Sequence, residues 1–330
     1  MIIPYLREDL EILRGNSRED GSPAWLLYDA LRNKYFTLGL TAFKLIKNWS
    51  GGDDIKIFER KINKEGIDTN IDEIKKFINF LQLNNLIIQP RGQKDNLLLN
   101  QKNSQKKNWL FFLIHSYLFF KIPLVKPDEW LGKTLKYAKP LGGRKIRNII
   151  YVLGFIGICL ITQQFDSFLK TFLYFFSFEG LLLYLLALVF VKSLHELGHA
   201  YVSKYFGCRV SSIGIAFLVF FPFLYTDTSD AWRLRDHKDR LLINFAGILT
   251  ELHLALISTF LWAVLPDGGL KSIAFFIATT SWISSLAINV SPFMRFDGYY
   301  VFSDWLQAEN LQPRSFALAR WQLREILFGF

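Results

Sequence analysis

A mainly α-helical, polytopic membrane protein with a re-entrant β-like segment, preceded by a small α+β cytoplasmic domain, is the fold class this sequence predicts. Two observations carry the membrane part. The 330 residues are 51% hydrophobic, with 32 Phe and a mean hydropathy of +0.19, and long apolar runs recur beyond residue 148. A third observation sets the front apart, because residues 1–105 carry charges throughout and no long apolar run. The boundaries this implies are a domain at 1–100, a linker with an interfacial amphipathic helix at 101–147, a membrane core at 148–313 and an amphipathic tail at 314–330.

Composition excludes some classes. The net charge of +10 raises nucleic acid as a partner, but no basic stripe lies in a nucleic-acid module. The excess fits loops that flank membrane helices. Cys159, inside an apolar run, and Cys208 make neither a disulfide framework nor a Cys-type zinc site. Residues 1–9 turn charged too soon for a secretory signal.

In the front domain, residues 25–29 and 34–38 read as two strands around a turn at Arg32 and Asn33. Residues 41–49, stopped by Gly51 and Gly52, read as a helix, and 55–62 as a second. The third begins near Asn70 and sets Ile74, Phe77, Ile78 and Leu81 on one face, and Leu86, Ile87 and Ile88 close the domain as a strand. Strands plus three helices in so short a stretch predict a winged-helix-like unit. Residues 101–107 are a polar linker. Residues 109–120, aromatic-rich and too short to span a bilayer, belong in the interface, with His115 an interfacial side chain.

Lys126, Lys133, Lys136, Lys139, Arg144, Lys145 and Arg147 precede the first span at 148–162. By the positive-inside rule that side, and the N-terminal domain with it, is cytoplasmic, so the chain is expected as a multi-pass protein of the cell inner membrane. Residues 163–169 form an outer turn, and 178–206 return as one long helix. Residues 210–225, apolar but interrupted by Gly214 and Pro222, are the re-entrant or strand-like segment, tolerable at that depth only where protein or a water cavity covers its backbone. A charged cytoplasmic loop at 226–240, a third span at 241–265, an outer turn and a fourth span at 273–290 complete the core.

Two motifs carry chemistry. His195-Glu196-Leu197-Gly198-His199 lies in the cytoplasmic half of the long helix. Positions i and i+4 share a helix face, so both imidazoles can turn to one metal ion. Two neutral imidazoles and a third protein ligand hold Zn²⁺ and leave a position for water. Glu196 is then the base that takes the proton of that water and hands it to the leaving amine. A hydrogen-bonded pair of packing histidines is the plain alternative, but two His and a Glu at membrane depth are costly without work or partners.

The second motif runs Asn289-Val290-Ser291-Pro292-Phe293-Met294-Arg295-Phe296-Asp297-Gly298-Tyr299-Tyr300. Pro292 removes the hydrogen bond to Ile288 and unwinds the helix, so Asp297 can turn inward as the third ligand. Gly298 supplies a tight turn. Asn289 offers amide groups to freed backbone or to an extended substrate, which makes Asn289, Pro292 and Gly298 candidate substrate-binding residues. Glu251, on the third span with His253, and the loop residues Asp227 and Asp230 compete for the third position. Asp297 is preferred because it alone sits within the second motif. Glu251 and His253 otherwise read as a polar pair inside the bundle.

Together the motifs resemble the site-2 protease family of intramembrane zinc metalloproteases, recognised by His-Glu-x-x-His on one membrane helix and Asn-x-x-Pro-x-x-x-Leu-Asp-Gly on a later one. Phe296 stands here in place of the leucine. Residues 109–313 resemble a peptide zinc metalloprotease branch through Phe296-Asp297-Gly298-Tyr299-Tyr300, Ala246-Gly247 and the stretch at 225–232. The front domain resembles PqqD-like peptide-recognition domains through its aromatic hairpin, a helix ending in Trp49-Ser50-Gly51 and a late helix before a short apolar strand. A DNA-binding winged helix, or a domain that packs on the membrane part, stays open as an alternative.

The resemblance implies Zn²⁺ held by His195, His199 and Asp297, with Glu196 as the acid–base residue, hydrolysing a peptide or membrane-protein substrate captured from the cytoplasmic side. The substrate is expected to extend by pairing with residues 213–219. A PqqD-like front end implies a leader peptide and a peptide-exporter or secretion-system partner. Membrane lipid is the remaining partner. Two other classes are a peptide export or maturation subunit with little or no proteolysis, and a membrane receptor or immunity protein with structural zinc. Members of the branch continue into further spans, so the resemblance implies a truncated or short form here.

Overall fold

Among the described residues three helices are long and apolar enough to cross a bilayer, Arg144–Gln163, Phe178–Tyr205 and His237–Val264, and the candidate site is built where the last two meet. The computed structural model describes residues 1–15, 25–32, 34–64, 66, 69–88, 119–173, 176–218, 221–234, 236–283, 288–294, 296–306 and 311–329. The chain divides into two units, Met1–Phe120 with Phe217–Phe221 and Trp232–Arg235, and Lys121–Ala216 with Pro222–Ala231 and Asp236–Phe330. Residues 101–118, which hold the expected linker and most of the interfacial stretch with His115, lie outside the described residues.

The first unit opens with an antiparallel sheet of β1 (Leu10–Arg14), β2 (Trp25–Asp29) and β3 (Lys34–Leu38) in that order. The two expected strands are β2 and β3; β1 is additional. Helices α1 (Leu40–Lys47), α2 (Ile55–Lys64) and α3 (Ile71–Leu83) follow. Ile55, Phe58 and Ile62 of α2 and Ile74 and Ile78 of α3 recur at helical spacing and are buried in one core. Trp49 donates its indole N–H to the Pro4 carbonyl at 2.8 Å. The expected strand at 86–88 is instead one bridge, Leu6↔Ile87. Asp29, fully buried at the end of β2, accepts two bonds from the Arg7 guanidinium at 2.8 and 3.1 Å.

The remaining strands and α-helices lie wholly or mainly in the second unit: β4 (Phe119–Val125), α4 (Asp128–Ala138), α5 (Arg144–Gln163), α6 (Phe165–Leu173), α7 (Phe178–Tyr205), β5 (Ile213–Leu218), β6 (Phe221–Thr226), α8 (His237–Val264), α9 (Gly269–Trp282), α10 (Asp297–Trp305) and α11 (Leu311–Phe328). Ser177 caps α7, its hydroxyl accepting from Gly180 N at 3.0 Å, and Gly207 at φ +77° ends it. Asp236 caps α8 through Lys238 N.

The helices pack through small residues. A Cβ at Gly154 would fall 2.5 Å from Leu256 Cδ2, one at Gly157 2.7 Å from the Phe260 backbone, and one at Gly198 2.3 Å from Thr250 Oγ1. Glycine therefore sets α5 and α7 directly against α8, as close van der Waals packing inside a bilayer requires. Trp262, Phe275 and Phe276 fill the other end of the bundle.

Several expectations are corrected. The outer turn at 163–169 is a break at Gln164 followed by helix α6, because Phe165, Phe168, Leu169 and Phe172 make an apolar stripe and Phe168 packs edge-on to Trp262 at 5.3 Å. α9 has 14 residues, roughly 21 Å at 1.5 Å per residue. Residues 284–287 of the expected fourth span lie outside the described residues. Ile283, Ile288 and Asn289 carry π-helical geometry. The strand-like segment is a sheet of order β4-β5-β6, so β5 is central and both its edges are taken. Residues 213–218 therefore offer no edge for a substrate; β4 and β6 do. α11 buries no side chain.

Two measurements test this packing. Gly157→Ala and Gly157→Leu should each lower the detergent-solubilised melting temperature, by the equivalent of about 1–3 kcal/mol for overpacking, whereas Gly39→Ala, with open space around the new Cβ, should not. The second concerns Asp128, at the start of α4, which accepts from Lys204 Nζ at 2.8 Å and Val210 N at 3.0 Å. Burial pushes its carboxyl up, but the ammonium and the N–H prevail and hold it below its ordinary 3.8. A depressed pKa adds stability that is present above 3.8 and lost as pH falls through the folded value. Asp128→Asn should therefore lower the melting temperature at pH 7, and the gap to wild type should close below about pH 4.

Candidate metal centre

His195 and His199 sit one turn apart on α7, both buried, and point their rings to the same side. His199 Nδ1 lies 2.7 Å from the Ile243 carbonyl. A carbonyl only accepts, so Nδ1 carries a proton, and in the neutral imidazole Nε2 then keeps its lone pair. His195 Nδ1 lies 2.9 Å from Glu251 Oε1, a carboxylate that fixes the same tautomer. The two Nε2 atoms are 3.1 Å apart, and Asp297 Oδ2 lies 2.7 Å from that of His195 and 3.2 Å from that of His199.

Two ring nitrogens and a carboxylate oxygen thus converge, with both histidines buried and Asp297 partly so. Three acceptors this close repel one another unless a cation lies among them. Among the described residues, the ligand atoms of His195, His199 and Asp297 group within 4.8 Å of one another, and two imidazoles with one carboxylate are a donor set for a divalent transition metal. The neighbouring helix leaves the space open. A Cβ at Gly247 of α8 would lie 2.4 Å from Nε2 of both histidines.

Residues 183–286 match the model of Peptidase family M50. No curated protein and no solved structure matches the chain. The matched segment covers both histidines, Glu196, Gly247 and Glu251 but stops before Asp297, so the third donor is supplied by geometry alone. The match covers less than half of the chain, and it takes in most of α7 and all of α8, two of the three helices that are long and apolar enough to cross a membrane among the described residues.

Asp297 opens α10. Gly298 behind it has helical backbone with no positive φ, so the expected turn is not its role. A Cβ there would meet Asn289 O at 2.4 Å and the Val290 carbonyl at 2.6 Å. Close approach requires this glycine, and the approach brings Asp297 to α7. Pro292 and Gly298 line an apolar cavity of about 250 Å³ with Phe245, Ile248, Val290, Val301, Phe302 and Trp305. The Asn289 amide instead donates to Glu251 Oε2 at 2.8 Å.

The competing carboxylates go elsewhere. Asp227 accepts from Ser211 and from Ser229 N and Oγ, and Asp230 from Arg209 N at 2.7 Å. Glu251 does not pair with His253: two positions apart on one helix they face different ways, and the His253 ring lies 5.7 Å from that of Tyr151. Glu251 also accepts from Lys192 Nζ at 2.7 Å. Residue spacing does not single out Lys192, although a lysine in an apolar run asks for an acidic partner. The Glu196 carboxylate interacts electrostatically with His195, His199 and Asp297. Thr226, at the end of β6, donates its hydroxyl to the Glu196 main-chain carbonyl at 3.0 Å.

Gly247→Ala should empty the site. Metal content by plasma mass spectrometry is expected to fall from about one ion per chain to near zero, with the helical circular dichroism retained.

Proposed function

We propose that the chain is an intramembrane zinc metalloprotease of the site-2 type, which hydrolyses a peptide bond in a peptide or membrane-associated substrate reached from the cytoplasmic side. The observation that carries this is the convergence of His195 Nε2, His199 Nε2 and Asp297 Oδ2 beside Glu196, in a segment matching Peptidase family M50. His195, His199 and Asp297 would hold Zn²⁺. The ion, when bound, supplies Lewis-acid polarisation of the scissile carbonyl and of the attacking water.

The chain's own residues do the rest. Glu196 takes the proton of the attacking water on its carboxylate and delivers it to the nitrogen of the leaving amine. An extended substrate pairs with the open edge of β6, the strand that runs up to Glu196 through Thr226. The apolar cavity beside Gly298 accepts one of its apolar side chains. The basic residues around α4 and the start of α5 set the cytoplasmic side of an inner membrane, and the N-terminal unit acts there as a PqqD-like peptide-recognition domain serving a secretion or export partner.

The test compares wild type with Glu196→Gln, both purified in detergent and offered an unfolded protein as substrate. About one zinc per chain in each, with cleavage about 10²–10⁴-fold slower in the variant, is the expected result. Undiminished cleavage by E196Q would remove the acid–base role, and absence of zinc from both would remove the metal centre.

A further inference from the structure

We propose that Glu251 is a positioning residue for the metal centre, holding the His195 ring by its Nδ1–H and being itself held by Lys192 and Asn289. The proposal rests on the metal-centre reading and extends it by assigning residues that do not touch the ion or the substrate.

Glu251 is fully buried on α8. Its Oε1 lies 2.9 Å from His195 Nδ1 and 2.7 Å from Lys192 Nζ, and its Oε2 accepts from Asn289 Nδ2 at 2.8 Å. A carboxylate has no donor of its own, so both oxygens are satisfied, and each partner comes from a segment that shapes the site. Lys192 lies one turn before His195 on α7. Asn289 lies in the π-helical stretch against which Gly298 packs.

The consequence for His195 is geometric. An imidazole free to rotate, or to carry its proton on Nε2, presents a lone pair to the ion only part of the time; a carboxylate at Nδ1 removes both freedoms and makes Nε2 more basic. His199 receives the equivalent restraint from the Ile243 carbonyl at 2.7 Å. The two ligands are thus held unequally, one by a neutral main-chain dipole and the other by a charge. Asn289, expected to touch substrate, acts here through Glu251. A helix tie between α7 and α8 would require only the Lys192–Glu251 pair; it would not require His195 Nδ1 to face the same oxygen.

The experiment uses the full chain in detergent with three versions: wild type, Glu251→Gln, which keeps an acceptor oxygen, and Glu251→Leu, which keeps volume but no acceptor. Zinc affinity is read by competition with a chromophoric chelator. E251L is expected to bind about 10–100-fold more weakly, and E251Q to lie between it and wild type. In the cobalt(II)-loaded protein, proton NMR should show two exchangeable, paramagnetically shifted ring N–H resonances, from His195 and His199. The His195 signal should vanish into solvent exchange in E251L while the His199 signal stays.

Wild-type affinity in E251L, or both resonances intact, would overturn the proposal and leave the metal centre standing. A wild-type chain that takes up no zinc would overturn the metal centre and this proposal together. Should E251L not fold, E251Q decides through the same signal. Its His195 resonance is expected to shift with that of His199 unmoved, and an unshifted resonance overturns the proposal.

Discussion

The contact between Gly247 and the two imidazoles governs how the rest of the second unit is arranged, because it fixes how near α8 can pass to α7. With a side chain at position 247 the helices would have to separate by more than the 2.4 Å clearance allows, and α8 would withdraw the groups that steer the ligands. Ile243, Gly247 and Glu251 recur every four residues, so they lie along one face of α8. The first orients His199, the second makes room, and the third orients His195. The approach is supported from elsewhere on the helices, where Gly198 meets Thr250 and Gly154 and Gly157 bring α5 against Leu256 and Phe260. A helix touched on two sides at glycine distance has little freedom to rotate.

The same helix places the third donor. Asn244, one position after Ile243, donates to Asp304 at 2.7 Å, and Arg240, one turn earlier, lies 3.7 Å from the same carboxylate. Burial pushes the Asp304 carboxyl above its ordinary value against the opposing pull of Arg240 and Asn244. These contacts secure the end of α10, while Gly298 seats its start on the Asn289–Val290 backbone. Asp297 stands in the first turn of that helix, where the peptide dipoles favour a negative charge. Its position thus follows from contacts at both ends of a nine-residue helix.

What could be read in the sequence is what depends on spacing along one chain. The i, i+4 histidines, the apolar lengths of α5, α7 and α8, and the Pro292-to-Asp297 interval are of this kind, and the candidate donors are brought together. Strands β2 and β3 and helices α1 to α3 follow the same logic. What could not be read depends on the rotation of one helix against another. In sequence Glu251 reads as a candidate ligand or as a partner of His253, and only the phase of α8 relative to α7 turns it to Nδ1 of His195. β5 became the central strand because β4, some ninety residues earlier in the chain, pairs with it; Gly214, whose Cβ would sit 2.1 Å from the Ile122 carbonyl, marks that closeness. A lone glycine in an apolar run does not say which neighbour approaches it.

The charges of the site carry the argument one step further. Lys192 and Glu251 cancel each other, and the two imidazoles must be neutral to serve as metal ligands. Glu196 and Asp297 remain, two carboxylates against the same pair of histidines in the interior of a bundle with apolar outer faces. Isolated carboxylates are expensive in such surroundings, and no lysine or arginine in the described contacts reaches Asp297. A divalent cation among the two Nε2 atoms and Oδ2 balances both charges. The lysine that could have done so is already committed, through Glu251, to the ring of His195.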